Sequence, residues 1–175
     1  MTNATASIRP PTTEERRAVL GVLEAAFEGP FEARLVDALW RADAVTLERA
    51  AVIDDEIVGY CAISPVTVSP ELKTDGGLFG LAPVAVAPDC QNAGIGALIV
   101  ETALADLSAT LDPTLTVVLG ERDYYRRFGF DVASDHGLSW SGGDAGDAFQ
   151  AMPGAAYDAT SPRIVSYHPA FSLFD

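Results

Sequence analysis

The chain of 175 residues carries 25 acidic residues against 11 basic ones, a formal net charge of −14 and a sequence pI of about 4.3. Binding to a phosphate backbone needs clustered lysines and arginines, so this balance excludes a nucleic-acid binder, and Lys73 is the only lysine. With 49% hydrophobic and 21% charged residues, the composition suits one globular domain spanning residues 1–175 and not a disordered chain.

No run approaches the roughly 18 uninterrupted apolar residues of a membrane span. Met1 to Pro10 lacks the basic start and apolar run of a secretory leader. A cytoplasmic protein with no membrane partner is therefore expected, with Cys61 and Cys90 as free thiols.

Thr12, Thr13, Glu14 and Glu15 read as a capping box, a threonine oxygen taking a first-turn N–H while Glu15 reaches back. Val19, Leu20, Val22, Leu23, Ala26 and Phe27 then recur at helical spacing until Gly29 and Pro30 end the helix. Phe31, Leu35, Val36 and Leu39 predict a second short helix. Two β-rich runs follow, Leu47 to Ile53 and Ile57 to Val66, joined by the polar turn Asp54-Asp55-Glu56. Gly59 inside the second run marks a close approach by a helix or ligand. Phe79 to Val86 is nearly continuous in apolar residues, as a strand buried on both faces is.

A helix is predicted from Gly94 to Leu107, with Ile95, Leu98, Ile99, Ala103 and Leu107 facing inward. Leu115 to Leu119 is a strand, Arg122 to Phe128 a short helix ended by Gly129, and Phe130 to Val132 the start of another strand. Ser134 to Gly146, rich in Gly, Asp and Ser, declares no element, Phe149 to Met152 and Arg163 to Tyr167 read as edge strands, and 133–175 is expected to extend the same domain. Two N-terminal helices before β-β-β-α-β-α-β imply an α/β fold, a mixed central sheet flanked by helices.

Chemistry concentrates in Val84-Ala85-Val86-Ala87-Pro88-Asp89-Cys90-Gln91-Asn92-Ala93-Gly94-Ile95-Gly96-Ala97, which passes from a buried strand through a tight loop into a helix. The unpaired N–H groups and partial positive charge of a helix start suit a phosphate, and glycine removes side chains where an anion touches backbone. A Walker loop is excluded because no Gly-Lys-Ser/Thr follows. A dinucleotide fingerprint fits poorly, with Asn92 where its first glycine belongs. Close helix-on-strand packing remains the simpler account of Gly94 and Gly96 taken alone.

The whole pattern resembles the general N-acetyltransferase (GNAT) superfamily, whose acetyl-CoA pyrophosphate site reads Gln/Arg-x-x-Gly-x-Gly/Ala after a strand; Gln91, Gly94 and Gly96 match it. Tyr124-Tyr125-Arg126-Arg127-Phe128-Gly129-Phe130 is similar to the second family signature, and Val118-Leu119-Gly120 before it resembles the YhbS-like branch of predicted N-acetyltransferases. Asn92 and Ala93 depart from the commoner Gly and Lys, which removes one cationic contact to the cofactor.

The resemblance implies acetyl-CoA as cosubstrate, bound by Val84, Ala85 and Val86, by Gln91 to Ala97, and by Tyr124 and Tyr125. It also implies transfer of acetyl to a primary amine of a small molecule or polypeptide by direct attack in a ternary complex. Tyr125 would donate a proton to the departing thiolate, and the Val86 N–H would polarise the thioester carbonyl. Pairing as a homodimer is a further family expectation. Tyr125 as a packing residue, and the protein as a non-catalytic acyl-CoA-binding module, are the competing readings.

No residue declares itself the base that takes the amine proton; Glu28, Glu32, Glu71 and Asp75 are the candidates. His136 and His168 lack ligand spacing, so no metal is expected. Cys90 has no partner base to make it a nucleophile, and Gly142 to Asp147 is a turn, not a calcium loop. Residues 113–130 form the one segment of net positive charge, with Arg122, Arg126 and Arg127 beside Tyr125 and in reach of an anionic cofactor.

Overall fold

A computed structural model describes residues 6–172. Its first element was not foreseen in the sequence: β1 (Ser7–Arg9), too short to show periodicity, pairs antiparallel with β2 (Leu47–Ile53). Between them stand α1 (Arg16–Ala26) and α2 (Phe31–Arg41). The capping box is half formed. The Thr12 N–H donates to Glu15 Oε2 at 2.7 Å, but no side chain caps α1, which starts one residue after Glu15. Arg9 holds both Glu15 oxygens, at 2.6 and 2.8 Å, and these hydrogen bonds lower the carboxyl to about 2.

β2 turns through Asp54 and Asp55, both at positive φ (49° and 66°), into β3 (Glu56–Pro65). Two left-handed residues in a row give the turn that matches strand twist. The short β4 (Thr67–Ser69) precedes β5 (Leu78–Val86), and α3 (Ile95–Leu111) returns the chain to β6 (Leu115–Leu119), parallel to β5. α4 (Arg122–Tyr125) runs into a 3₁₀ turn over Arg126–Phe128, ended by Gly129 at φ 97°. Then come β7 (Asp131–Val132), β8 (Leu138–Trp140), β9 (Phe149–Pro153) and β10 (Arg163–Ser166).

The main sheet has the order β1-β2-β3-β5-β6-β9-β7, and a smaller one the order β4-β10-β8. Two expectations fail here. β9 is an interior strand between β6 and β7, and β10 is the middle strand of the small sheet; neither is an edge. The Gly-, Asp- and Ser-rich stretch after Ser134, where the sequence declares no element, contains β8.

Side chains alternate across β2 and β3. Ala50, Tyr60 and Ala62 face α1 and α2, while Ala51, Cys61 and Ile63 face α3, so both faces of the central strands are covered. A Cβ on Gly59 would lie 2.6 Å from Ile99 Cδ1, so the glycine there admits α3. The inward stripe of α3 is Ile95, Ile99, Val100, Ala103 and Leu107; Leu98 is 39% exposed, Val100 taking the buried position predicted for it. Cys61 and Cys90 are free, and burial pushes the Cys61 thiol up to about 12.

Candidate active site

The site begins with a fault in β5. It pairs with β3 from Phe79 to Val86, but Ala82 and Pro83 stand together opposite the single residue Ala62. Such a bulge bends its strand, and Pro83 has no N–H to give to a neighbour. Pairing with β6 runs only from Leu78↔Leu115 to Leu81↔Val118. Beyond Leu81 the two parallel strands part, and a cavity of about 800 Å³ opens, walled by Leu81 to Val84 on one side and Leu119 to Glu121 on the other.

The Ala87 N–H donates to the Val58 carbonyl at 2.8 Å. Alternation along an antiparallel pair then makes Gly59↔Val86 and Cys61↔Val84 the positions without ladder bonds to β3. The N–H and C=O groups of Val84 and Val86 therefore face the side that β6 has left. The Val86 carbonyl accepts Gln91 Nε2 at 3.0 Å on that side, which pins the following loop to the strand end.

That loop is exposed from Gln91 to Gly94. Asn92 sits at φ 60° and Gly94 at φ 82°, both left-handed. Asparagine tolerates this region better than other non-glycine residues, which explains its presence where the commoner pattern has glycine. No side chain caps α3 and no acid occupies its first turn, and the first helical bond is Leu98 N–H to the Gly94 carbonyl at 3.1 Å. The N–H groups of Ile95, Gly96 and Ala97 are thus left for an outside acceptor. Gly96 has a further reason to be glycine: a Cβ there would lie 2.8 Å from the Tyr124 hydroxyl.

The tyrosine pair joins loop to cavity. Tyr124 and Tyr125 both line the cavity, at ring centroids 5.0 Å apart and nearly perpendicular. Tyr125 packs on Phe130 at 6.0 Å and covers Gly120, where any side chain would collide with its ring. The start of β9 and the turn before it fix Gly120 from both sides, the Ala148 carbonyl accepting its N–H at 2.9 Å and Gln150 Nε2 donating to its carbonyl at 3.1 Å. Burial raises the Tyr125 phenol above the ordinary tyrosine range. The arginine cluster is divided: Arg127 lies 4.9 Å over the Tyr124 ring, and Arg122 pairs with Asp147 at 2.7 Å.

Residues 46–132 match the acetyltransferase (GNAT) domain model. The chain is 31% identical to the N-acetyltransferase YhbS of Escherichia coli K12, itself uncharacterised, over 156 residues that cover 87% of this chain and 90% of that one. The chain belongs to the GNAT acetyltransferase family. A crystal structure of E. coli YhbS in complex with CoA matches with a TM-score of 0.87 at 31% identity, covering 100% of this chain and 96% of that one. A GNAT acetyltransferase from Brucella melitensis in complex with acetyl-CoA matches with a TM-score of 0.77 at 32% identity, covering 97% and 99%. The GNAT fold, with its mixed central sheet flanked by helices, is therefore that of the whole chain and not only of its matched middle.

In this GNAT domain the predicted site residues separate into two groups. Ala85 and Val86, at the end of β5, and Gln91 to Ala97, past it, do not line the cavity; Val84, Tyr124 and Tyr125 do. Of the four carboxylates considered as a base, only Glu32 lines it, beside Phe27 and Phe31. Phe27, expected in the core stripe of α1, is 40% exposed at this cavity. Glu28, Glu71 and Asp75 stand at the surface elsewhere.

The sequence reading missed Glu121, Trp140, Tyr167 and Phe171, all cavity residues. Glu121 was findable, since it follows the Gly120 that ends the strand before the tyrosines. The others come from the C-terminal segment, where no motif marks them. Neither histidine reaches the cavity: His168 Nδ1 accepts the Ala170 N–H at 3.1 Å, and His136 Nε2 lies 3.7 Å from Asp131.

Proposed function

We propose that the protein is an acetyl-CoA-dependent N-acetyltransferase acting on a primary amine. One observation carries the reading: the Tyr124 hydroxyl rests over Gly96 while Tyr124 and Tyr125 line the cavity, so the anion-receptive loop and the opening between β5 and β6 form one continuous site. The relatives crystallised with CoA and acetyl-CoA support the choice of cosubstrate. Its pyrophosphate meets the N–H groups of Gly94 to Ala97, and its thioester arm runs along β5 toward Val84.

With both substrates bound, the amine nitrogen attacks the thioester carbonyl carbon. The carbonyl oxygen gains charge that the outward N–H groups of Val86 and Val84 stabilise. The C–N bond forms, the C–S bond breaks, and the electron pair leaves on sulfur. Starting from an ammonium, two protons leave nitrogen: one ends on the CoA thiol and one goes to solvent. Tyr125 serves the sulfur. Its raised pKa makes complete transfer to a thiolate uphill, so its O–H acts chiefly as a hydrogen-bond donor, which is reprotonated from water when transfer occurs.

The test is CoA release by the full-length protein with acetyl-CoA and a panel of amines. Tyr125→Phe is expected to lower kcat about 100-fold, the range of a hydrogen bond to a charged group, while acetyl-CoA affinity by calorimetry stays the same. Folded protein that binds acetyl-CoA yet releases no CoA with any amine, including peptides, would replace this reading with that of a cofactor-binding module.

A further inference from the structure

The cavity extends beyond what a thioester arm needs. Past Leu81 to Val84 it reaches Phe27, Phe31 and Leu35 at the α1–α2 turn, and Trp140 and Phe171 from the C-terminal segment. These walls are apolar and mostly aromatic. Among the described residues, the charged ones lining the cavity are Glu32, half-buried, and Glu121, exposed, and no lysine or arginine lines it.

A second observation is independent of the walls. The Tyr167 hydroxyl is buried and has no hydrogen-bond partner among the described residues, although the residue lines this cavity. Its ring is seated over Gly80 of β5, where a Cβ would lie 2.5 Å away, so the phenol is held near the reacting strand. Burial raises its pKa, so it stays neutral: it can give or accept a hydrogen bond but cannot act as a base. A buried hydroxyl left unpaired is costly, and a ligand that pairs it recovers that cost.

We propose that this end of the cavity takes a primary amine carried on an uncharged, apolar and preferably aromatic body, with Glu32 pairing its ammonium and the Tyr167 oxygen accepting its N–H at the point of attack. The proposal rests on the N-acetyltransferase reading and narrows it to one acceptor class. An amino acid would bring its carboxylate against Glu32 and Glu121 with no cation to receive it. A diamine would find only the exposed Glu121 for its second charge. A peptide would bury backbone groups against aromatic walls that offer few partners. An arylalkylamine instead covers Phe27 and packs edge-to-face with its neighbours.

Phenethylamine, phenylalanine, 1,4-diaminobutane and a blocked lysine peptide should be compared for CoA release, with calorimetric binding of phenethylamine to the CoA-saturated protein measured in parallel. Phenethylamine is expected to exceed the others at least 50-fold in kcat/KM. Glu32→Gln should raise its KM about 10-fold, more than it lowers kcat. Tyr167→Phe should weaken phenethylamine binding several-fold while the melting temperature holds or rises, because no bond within the protein is lost; a merely structural tyrosine would show the reverse. Preference for any other acceptor, equal rates, or an unchanged KM in Glu32→Gln overturns the proposal. Binding of phenethylamine without acetylation of any amine keeps the acceptor site and removes the transferase reading. Acetylation of other amines with no binding of phenethylamine does the opposite, and neither binding nor acetylation removes both.

Discussion

The two ends of the proposed site use different materials. Past Val86, recognition is offered by backbone: N–H groups at the start of α3, set by the left-handed Asn92 and Gly94 and pinned by Gln91 to the Val86 carbonyl. In the cavity it is offered by side chains from the α1–α2 turn, α4, β8 and the C-terminal segment, gathered where β5 and β6 diverge. A backbone site is specified by a few contiguous residues and tolerates a protein of net charge −14, because it needs no cation to hold an anion. A side-chain site is specified by tertiary packing and can change its specificity without disturbing the loop.

The most severe way to break this contrast is Gly96→Glu. A side chain at 96 displaces the Tyr124 hydroxyl and puts a carboxylate at the proposed anion site of the helix start. Acetyl-CoA affinity is expected to fall at least about 100-fold by calorimetry, roughly 2.7 kcal/mol, with thermal stability nearly unchanged.

Gly120→Ala attacks the other end. Its methyl group collides with the Tyr125 ring, so kcat should drop about 10-fold and stability by about 1–3 kcal/mol. Cofactor affinity should change little, and chemical denaturation with steady-state kinetics would check this. Gln91→Ala removes a single exposed hydrogen bond that orders the loop, for an expected loss of about 3- to 5-fold in acetyl-CoA affinity.

The smallest effect concerns pH. Burial raises the folded-state pKa of Tyr125, so its O–H is retained as pH rises and is lost only above the ordinary tyrosine range. The rate should climb with pH as the acceptor amine, which deprotonates near pH 10 like a lysine, becomes neutral, with no falling limb before about pH 10. A falling limb at pH 8–9 would show that a different acid serves the sulfur.

The same division explains what could be read in advance. β2 and β6 were legible to the residue because each is rich in strand-forming residues and is ended by a turn residue, Asp54 after β2 and Gly120 after β6. The loop and the tyrosine motif were legible because each is contiguous. Val100 and Leu98 were exchanged because α3 is apolar on several sides, which leaves periodicity little contrast to work with. β1, β4 and β8 are three residues each, below the length at which alternation declares itself. Phe27 and Phe31 look like core residues by spacing, and only the divergence of β5 from β6 turns them toward a cavity. Nothing local in Tyr167 distinguishes it from a packing tyrosine; its hydroxyl becomes informative only when its lack of a partner is seen.

Ala148, just before β9, and Gln150 within it are made some twenty residues after the tyrosines, yet they supply both hydrogen bonds to Gly120, and β9 also pairs with β7. During synthesis the loop and α3 can therefore take shape while the floor beneath Tyr125 is still missing. A chain cut short before Ala148 would keep every residue of both family motifs and still lack the support that aims one of them, so possession of the motifs in a fragment is no measure of its competence.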